Sequence, residues 1–337
     1  MNEGEDAPHW RKGLEAHVLA AIVTVAAVVL VDAPIGAQAY PDRPIRLIVP
    51  SAAGGPTDIP ARLLSQILPK LGQPVVVENR PGAGGAIGAR FVATSAPDGY
   101  TLLIGNTSVL AVIPAVSASA GYDPDRQFSA IAKFSESYQI LVVHPSVAAK
   151  TVGELVAYAK GNPGRLNYAQ TGAGGLPHLS GELFKSAAGV DIVGVPYKSG
   201  GDSITGVLGG QVDMTFESIT VLLPLIREGR LRPLAVTSRN RTPLANDLPT
   251  MIEAGVPGYE VATFNGVVAP AGTPAPIIDL LNASINEGLR TREMQAGIRN
   301  LGAVSDPVSP AEFGAFIAAE RRKWSVVAKE ANVHVDQ

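Results

Sequence analysis

The chain has 337 residues, with 27 basic and 30 acidic side chains and no cysteine. The lack of cysteine excludes disulfides and thiolate chemistry, and the near balance of charge argues against nucleic acid or an anionic membrane as the main partner. The length can bury a large core and suits two domains, and no low-complexity tract or fixed-period repeat interrupts it.

Residues 1–39 read as a secretory signal: Arg11 and Lys12 precede an apolar run from Val18 to Val31, and Ala37-Gln38-Ala39 is a small-x-small cleavage site. An uncleaved lone anchor is the alternative, although the run is short for a membrane span. Five acidic and two basic residues precede the cleavage point, so the remainder is formally neutral. The expected location is outside the cytoplasm.

Ile45 to Val49 is a short apolar run that predicts a buried strand. A small, Gly-rich loop follows from Ser51 to Pro56. From Thr57 the period becomes helical, with Leu63, Leu64, Ile67, Leu68 and Leu71 on one face and Gly72 as the stop. The free N–H groups at a helix start can hold an anion without a basic side chain, and Gly54 and Gly55 permit close approach. An ordinary βα turn is the competing reading of this loop. Val75–Val77 predicts a strand, Asn79–Gly85 a loop and Ala86 onward a helix. Tyr100–Ile104 predicts a strand that opens into Gly105-Asn106-Thr107-Ser108. Ligands bind at the carboxyl ends of strands in open α/β sheets. Leu141–Val143 is the next predicted strand.

A second unit begins near His144-Pro145, with a capping box at Thr151–Glu154 opening a helix that stops at Gly161. Leu166–Gln170 predicts a strand, Thr171–His178 a second Gly-rich loop and Leu179–Ala188 a helix, which repeats the opening arrangement. Strands at Val193–Tyr197, Val212–Phe216 and Leu234–Thr237 follow, then a long one at Tyr259–Val268. Helices over about Ile277–Arg290, Glu293–Leu301 and Pro310–Asn332 close the chain. The alternation indicates α/β with parallel sheet, and the two loops suggest a ligand held between two lobes. The expected lobes are 40–141 with 263–337, and 142–262.

No GxSxG or P-loop pattern occurs, and the GxGxxG register fails at Ile87 and Pro177. The histidines after the signal, His144, His178 and His334, are too scattered for a metal signature, so neither cofactor nor metal is expected. Lys198 is either an anion-steering residue or a solvated loop lysine, and Tyr197 either core or site. His178 either contacts a ligand or caps and packs.

Several motifs, in order and spacing, resemble Bug-type periplasmic solute-binding receptors of tripartite tricarboxylate transporters. They are Tyr40–Arg46, Gly54–Asp58 with Ala61-Arg62, Glu78–Gly85, Pro97–Leu103, Pro163–Tyr168, Gly181–Phe184, Val195–Lys198, Gly209–Asp213, Val267–Pro274 and Lys323-Trp324. The resemblance implies a type II, Venus-flytrap fold with a ligand cleft between its lobes. It also implies capture of a small carboxylate without catalysis and delivery to the membrane subunits of a tripartite transporter. A dicarboxylate, an aromatic acid and an amino acid are the ligand classes considered. Backbone amides, hydroxyls and water at the two loops would hold the carboxylate. The candidate site is Ser51, Ala52, Ala53, Gly54, Gly55, Thr57 and Asp58; Asn106, Thr107 and Ser108; Thr171, Gly172, Ala173, Gly174, Gly175 and His178; Tyr197; and Glu217 with Ser218. Asp58 reads as the residue that fixes its loop's shape. A sensor co-receptor and a periplasmic enzyme on a similar fold are the alternatives.

Three positions depart from the family pattern: Gly175 replaces a hydroxyl residue, Glu217 an Asp, and Ser199-Gly200-Gly201-Asp202 a more apolar loop. The expectation is that the second lobe selects the far end of the ligand, with Glu217 disfavouring a compact acid.

Overall fold

The computed structural model describes residues 40–55, 57–117, 120–171 and 174–333. The expected secretory segment 1–39 lies outside the described residues, as do Pro56, Gly172, Ala173 and His334. From Arg43 on, the chain forms one compact unit.

The elements are β1 (Ile45–Val49), α1 (Asp58–Leu64), β2 (Val75–Asn79), α2 (Ala86–Ala93), β3 (Thr101–Asn106), α3 (Ile113–Val116) and α4 (Pro124–Gln127). They continue with β4 (Phe128–Val143), α5 (Val152–Gly161), β5 (Asn167–Thr171), α6 (Leu176–Ala188), β6 (Val193–Tyr197), α7 (Gly200–Leu208), β7 (Met214–Ser218) and α8 (Ile219–Arg227). The last are β8 (Arg232–Val236), β9 (Ala262–Pro270), α9 (Ala275–Leu289), α10 (Arg292–Asn300) and α11 (Pro310–Glu330).

The strand order is β2-β1-β3-β9-β4-β7-β5-β6, and β8 also pairs β4. β4 belongs to both halves of this path. Over Phe128–Tyr138 it pairs antiparallel with β9, and over Gln139–Val143 with β7 and β8. The exchange of partners between Tyr138 and Gln139 divides the molecule into a first wing (β1–β3, β9) and a second wing (β5–β8). The outer strands of each wing are parallel, as the alternating pattern predicts. The centre is antiparallel, because β4 leaves the first wing and β9 returns to it.

Each wing has an apolar core. Ile48, Leu103, Leu110, Phe264 and Phe313 meet in the first. Tyr168, Phe184, Phe216 and Tyr259 meet in the second, where Phe216 stacks on Tyr259 at 5.8 Å. α11 enters both: Phe313 and Ile317 pack in the first core, Trp324 and Val327 in the second. Its start is a capping box between Ser309 and Glu312.

Several elements differ from the sequence reading. The first helix stops at Leu64, and a separate 3₁₀ turn covers Leu68–Leu71. Pro69 has no N–H to continue the helix and restricts the residue before it. β4 extends thirteen residues upstream of the predicted Leu141, to Phe128. β3 includes Gly105 and Asn106, which were expected in a loop. α6 starts three residues early, with Pro177 in its first turn, where a missing N–H is harmless. β9 starts at Ala262 rather than Tyr259, because Val261 already bonds Thr237 O at 3.0 Å. Among the described residues no helix is long and apolar enough to cross a membrane.

Candidate ligand-binding site

The loop after β1 is a turn held from behind. Gly54 lies at φ 77°, open to glycine without strain, and Gly55 N donates to Ala52 O at 3.2 Å. Asp58, 1% exposed, accepts from Gly54 N at 2.9 Å, Arg62 Nε at 2.8 Å and Asn79 Nδ2 at 2.8 Å. The hydrogen bond from Arg62, with those from Gly54 and Asn79, overcomes the burial penalty and holds the Asp58 carboxyl down at about 2. Asp58 N and Ile59 N both donate to Gly55 O. The amides at this helix start are therefore used to shape the loop, while Ala52, Ala53 and Gly54 are exposed.

The second loop repeats this device 120 positions later. Gly174 lies at φ 74°, and its N–H donates to His178 Nδ1 at 3.1 Å. Gly54 corresponds to Gly174 and Asp58 to His178: in each wing a glycine amide is caught by a side chain four residues on. To accept, Nδ1 must be unprotonated. Burial lowers the His178 pKa; Glu182 opposes this and Lys185 adds to it. Glu182 is itself occupied by Tyr168 Oη at 2.9 Å and Lys185 Nζ at 2.9 Å. Thr171, Gly175 and His178 are partly buried.

At the end of β3, Asn106 Nδ2 donates to Thr57 Oγ1 at 2.8 Å and Asn106 Oδ1 accepts from Val109 N at 3.0 Å. This joins the third loop to the first. Thr107 is buried, with Oγ1 accepting from Phe264 N at 2.8 Å; it braces β9. Ser108 is partly exposed where a π-helical turn begins. In the second wing the Tyr197 hydroxyl lies against Gly206, where an added Cβ would be 2.2 Å away, so the ring packs under α7. Glu217 sits at the carboxyl end of β7, and its Oε1 is 3.2 Å from where a Gly200 Cβ would be. Burial raises its pKa, and the amide of Ser218, 3.4 Å away, only partly opposes this. Ser218 Oγ is 3.0 Å from Thr220 Oγ1. Lys198 is exposed, and His144 Nδ1 meets Ser146 Oγ at 2.7 Å, at the end of β4.

Sequence reasoning missed the floor that joins these loops. Ser135, Ser137 and Gln139 alternate along β4, so they share a face. They oppose Asn265, Thr263 and Ser218, and Asn106 opposes Asn265 from the other side. Asn106 ties one end of this polar strip to the first loop. At the other end Gln139 Oε1 accepts from Ser180 Oγ at 2.7 Å, two residues past His178. The period-two spacing of Ser135, Ser137 and Gln139 was the available signal. On the opposite face, a cavity of about 420 Å³ is lined by Lys133, Glu136, Tyr138, Arg239, Glu260 and Asp306. The register shift between Lys133 and Ser135 brings Lys133 onto the side of Glu136, its salt-bridge partner at 2.5 Å. No metal-holding cluster of histidines and carboxylates occurs among the described residues.

Comparison with known proteins matches residues 61–333 to a family described as tripartite tricarboxylate transporter family receptor. Protein BugT of Bordetella pertussis is 38% identical over 315 residues, covering 93% of this chain and 97% of that protein. R. palustris Rpa4515, solved with adipate, is 37% identical with a TM-score of 0.70, covering 88% of this chain and 99% of that one. MatC (Rpa3494) from Rhodopseudomonas palustris, solved with bound malate, is 33% identical with a TM-score of 0.67, covering 86% and 99%. The fold is accordingly the two-lobed type II periplasmic-binding-protein fold, with the ligand cleft between its lobes.

Proposed function

The chain belongs to the tripartite tricarboxylate transporter receptor family, and we propose that it works as the periplasmic member, taking up a small carboxylate in the cleft. It passes the ligand, chemically unchanged, to the membrane subunits of a tripartite transporter. The observation that carries this reading is the pair of glycine loops, one per wing, each shaped by a side chain four residues on. A polar strip runs from one to the other. Adipate and malate in the two relatives supply the ligand class, a dicarboxylate of four to six carbons.

The site we propose comprises the exposed first loop Ser51–Gly55 with Thr57 and Asn106, the second loop Thr171–Gly175 with His178, and Glu217 with Ser218. Asp58 and Thr107 support it from behind. We propose lobes of 40–141 with 263–337, and 142–262; the partner exchange along β4 falls three residues before that boundary, between Tyr138 and Gln139. Residues 1–39 are the secretory signal in this reading.

The test is a thermal-shift screen of the mature protein against adipate, malate, citrate, aromatic acids and acidic amino acids, with recovery of the ligand by chromatography. A ligand at 100 times its Kd stabilises by about 2.7 kcal/mol, well within reach of the method. The expected result is a raised midpoint with at least one carboxylate recovered intact. No shift with any of them, or conversion of the ligand, would overturn the proposal.

A further inference from the structure

Where β4 changes partners, its two faces look onto different spaces. One carries the polar strip of Ser135, Ser137 and Gln139; the other carries Glu136 and Tyr138 over the cavity of about 420 Å³. The walls of this rear cavity belong to different wings. Lys133 and Glu136 lie where β4 pairs with β9 in the first wing, and Val304 is tied to Glu136 by two backbone hydrogen bonds of 2.8 Å, with Asp306 just beyond. Arg239, Arg241 and Pro243 follow β8, and the chain after them packs Leu244 and Ala245 into the second wing. Glu260 joins this wall through Arg239 at 3.0 Å. The first wall therefore carries one cation and two carboxylates, and the second carries two cations and one carboxylate.

Two bodies that turn about a line between them cannot narrow in front without widening behind. The polar strip and the rear cavity lie on opposite faces of β4, so a rotation that closes the cleft opens the cavity. Among the described residues no ion pair spans the cavity: Arg239 is held by Glu260, Arg241 by Glu253 and Lys133 by Glu136, each within its own wing. The walls still carry opposite net charge, and their attraction favours a narrow rear, which means an open cleft. Apparent affinity is the intrinsic affinity reduced by the fraction of molecules in the binding-competent state. We propose that the rear cavity counterbalances the cleft: Asp306 on one wall, with Arg239 and Arg241 on the other, holds the ligand-free protein open, and side chains here set ligand affinity without touching the ligand. This goes beyond the receptor reading and takes ligand affinity as one of two readouts.

The chain has no cysteine, so spin labels can be placed on two introduced ones, Ile59→Cys and Val221→Cys, both exposed at the starts of α1 and α8 in different wings. In this background Val304→Trp with Pro243→Trp puts an indole on each wall and resists narrowing of the rear. The label-to-label distance in the ligand-free protein should shorten relative to the parent, and calorimetry should show adipate or malate bound about three-fold tighter or more. Asp306→Lys, at an exposed position, makes both walls net positive. It should shorten the same distance at about 10 mM salt and lose the effect at about 1 M, where charges are screened within about 3 Å. That variant decides the question if the double substitution fails to fold. An unchanged or longer distance in the folded variants overturns the proposal, as does a shorter distance without tighter binding when the parent binds either acid. No binding by the parent to any acid of the screen overturns the receptor reading, while a shortened distance in the ligand-free variants would still support the coupling.

Discussion

Replacing Asp58 by Asn removes one charge and keeps the side chain's shape, yet the hydrogen-bond geometry makes it a severe change. Oδ2 receives Gly54 N and Arg62 Nε, and Oδ1 receives Asn79 Nδ2 and Arg62 Nη2. Each oxygen thus faces two donors. An amide nitrogen at either place meets N–H groups, so at least one buried donor loses its acceptor, at about 1–3 kcal/mol. The lowering of the carboxyl from 3.8 to about 2 gives a similar size, roughly 2 kcal/mol at neutral pH. Arg62 is 56% exposed and can turn to water, so its share is screened. The expected loss is about 2 kcal/mol in urea unfolding of the ligand-free protein. A loosened turn at Gly54 should also weaken carboxylate binding about ten-fold or more. A depressed carboxyl pKa contributes stability that is complete above the unfolded value and lost as pH falls through the folded one. The stabilities of wild type and Asp58→Asn should therefore converge between about pH 4 and pH 2. Equal urea midpoints at pH 7 would refute this account of the loop, as would a gap that persists at the acid end.

Gly55→Val should abolish binding in calorimetry, because a Cβ there would meet Ala52 O at 3.0 Å and Ser51 Oγ at 3.4 Å. Lys198→Ala should mainly slow association in stopped-flow measurements, most visibly at low salt. His178 holds Gly174 N only when Nδ1 is unprotonated, and its pKa is lowered by burial. Its contribution is therefore present above pH 6.5 and lost as pH falls through the folded value; urea unfolding at pH 7.5 and pH 5 should show a decline in wild type that shrinks in His178→Gln. Glu217, a desolvated carboxylate at the end of β7, should disfavour a compact triacid. Citrate should then bind more weakly than a longer diacid, and Glu217→Gln should narrow the gap in a competition assay.

Where side chains are apolar and periodic, the fold was legible. Ile45–Val49 and the α11 face of Phe313, Ile317 and Trp324 read correctly because burial alone explains them. β4 was lost for the opposite reason. From Ser135 to Gln139 it carries polar groups on both faces, the strip on one side and Glu136 and Tyr138 over the cavity on the other, so no hydrophobic alternation remains. The sequence signal fades where the strand crosses between the wings. At the first loop, Gly54 and Asp58 stood out by residue type, but the third party did not. Asn79 closes the clamp on Asp58 from 21 positions away, a contact that only the pairing of β1 with β2 creates.

β4 and α11 also bear on whether either lobe could exist alone. A fragment of residues 142–262 would carry only two residues of the strand that both β7 and β8 pair with, and neither Trp324 nor Val327 to fill its interior. The complementary piece would keep those two side chains with nothing to bury them. Folding autonomy is thus denied to both halves, and heat or urea should melt them in one cooperative step. A protease nick within 142–262 should then release the whole molecule to digestion instead of leaving a resistant half.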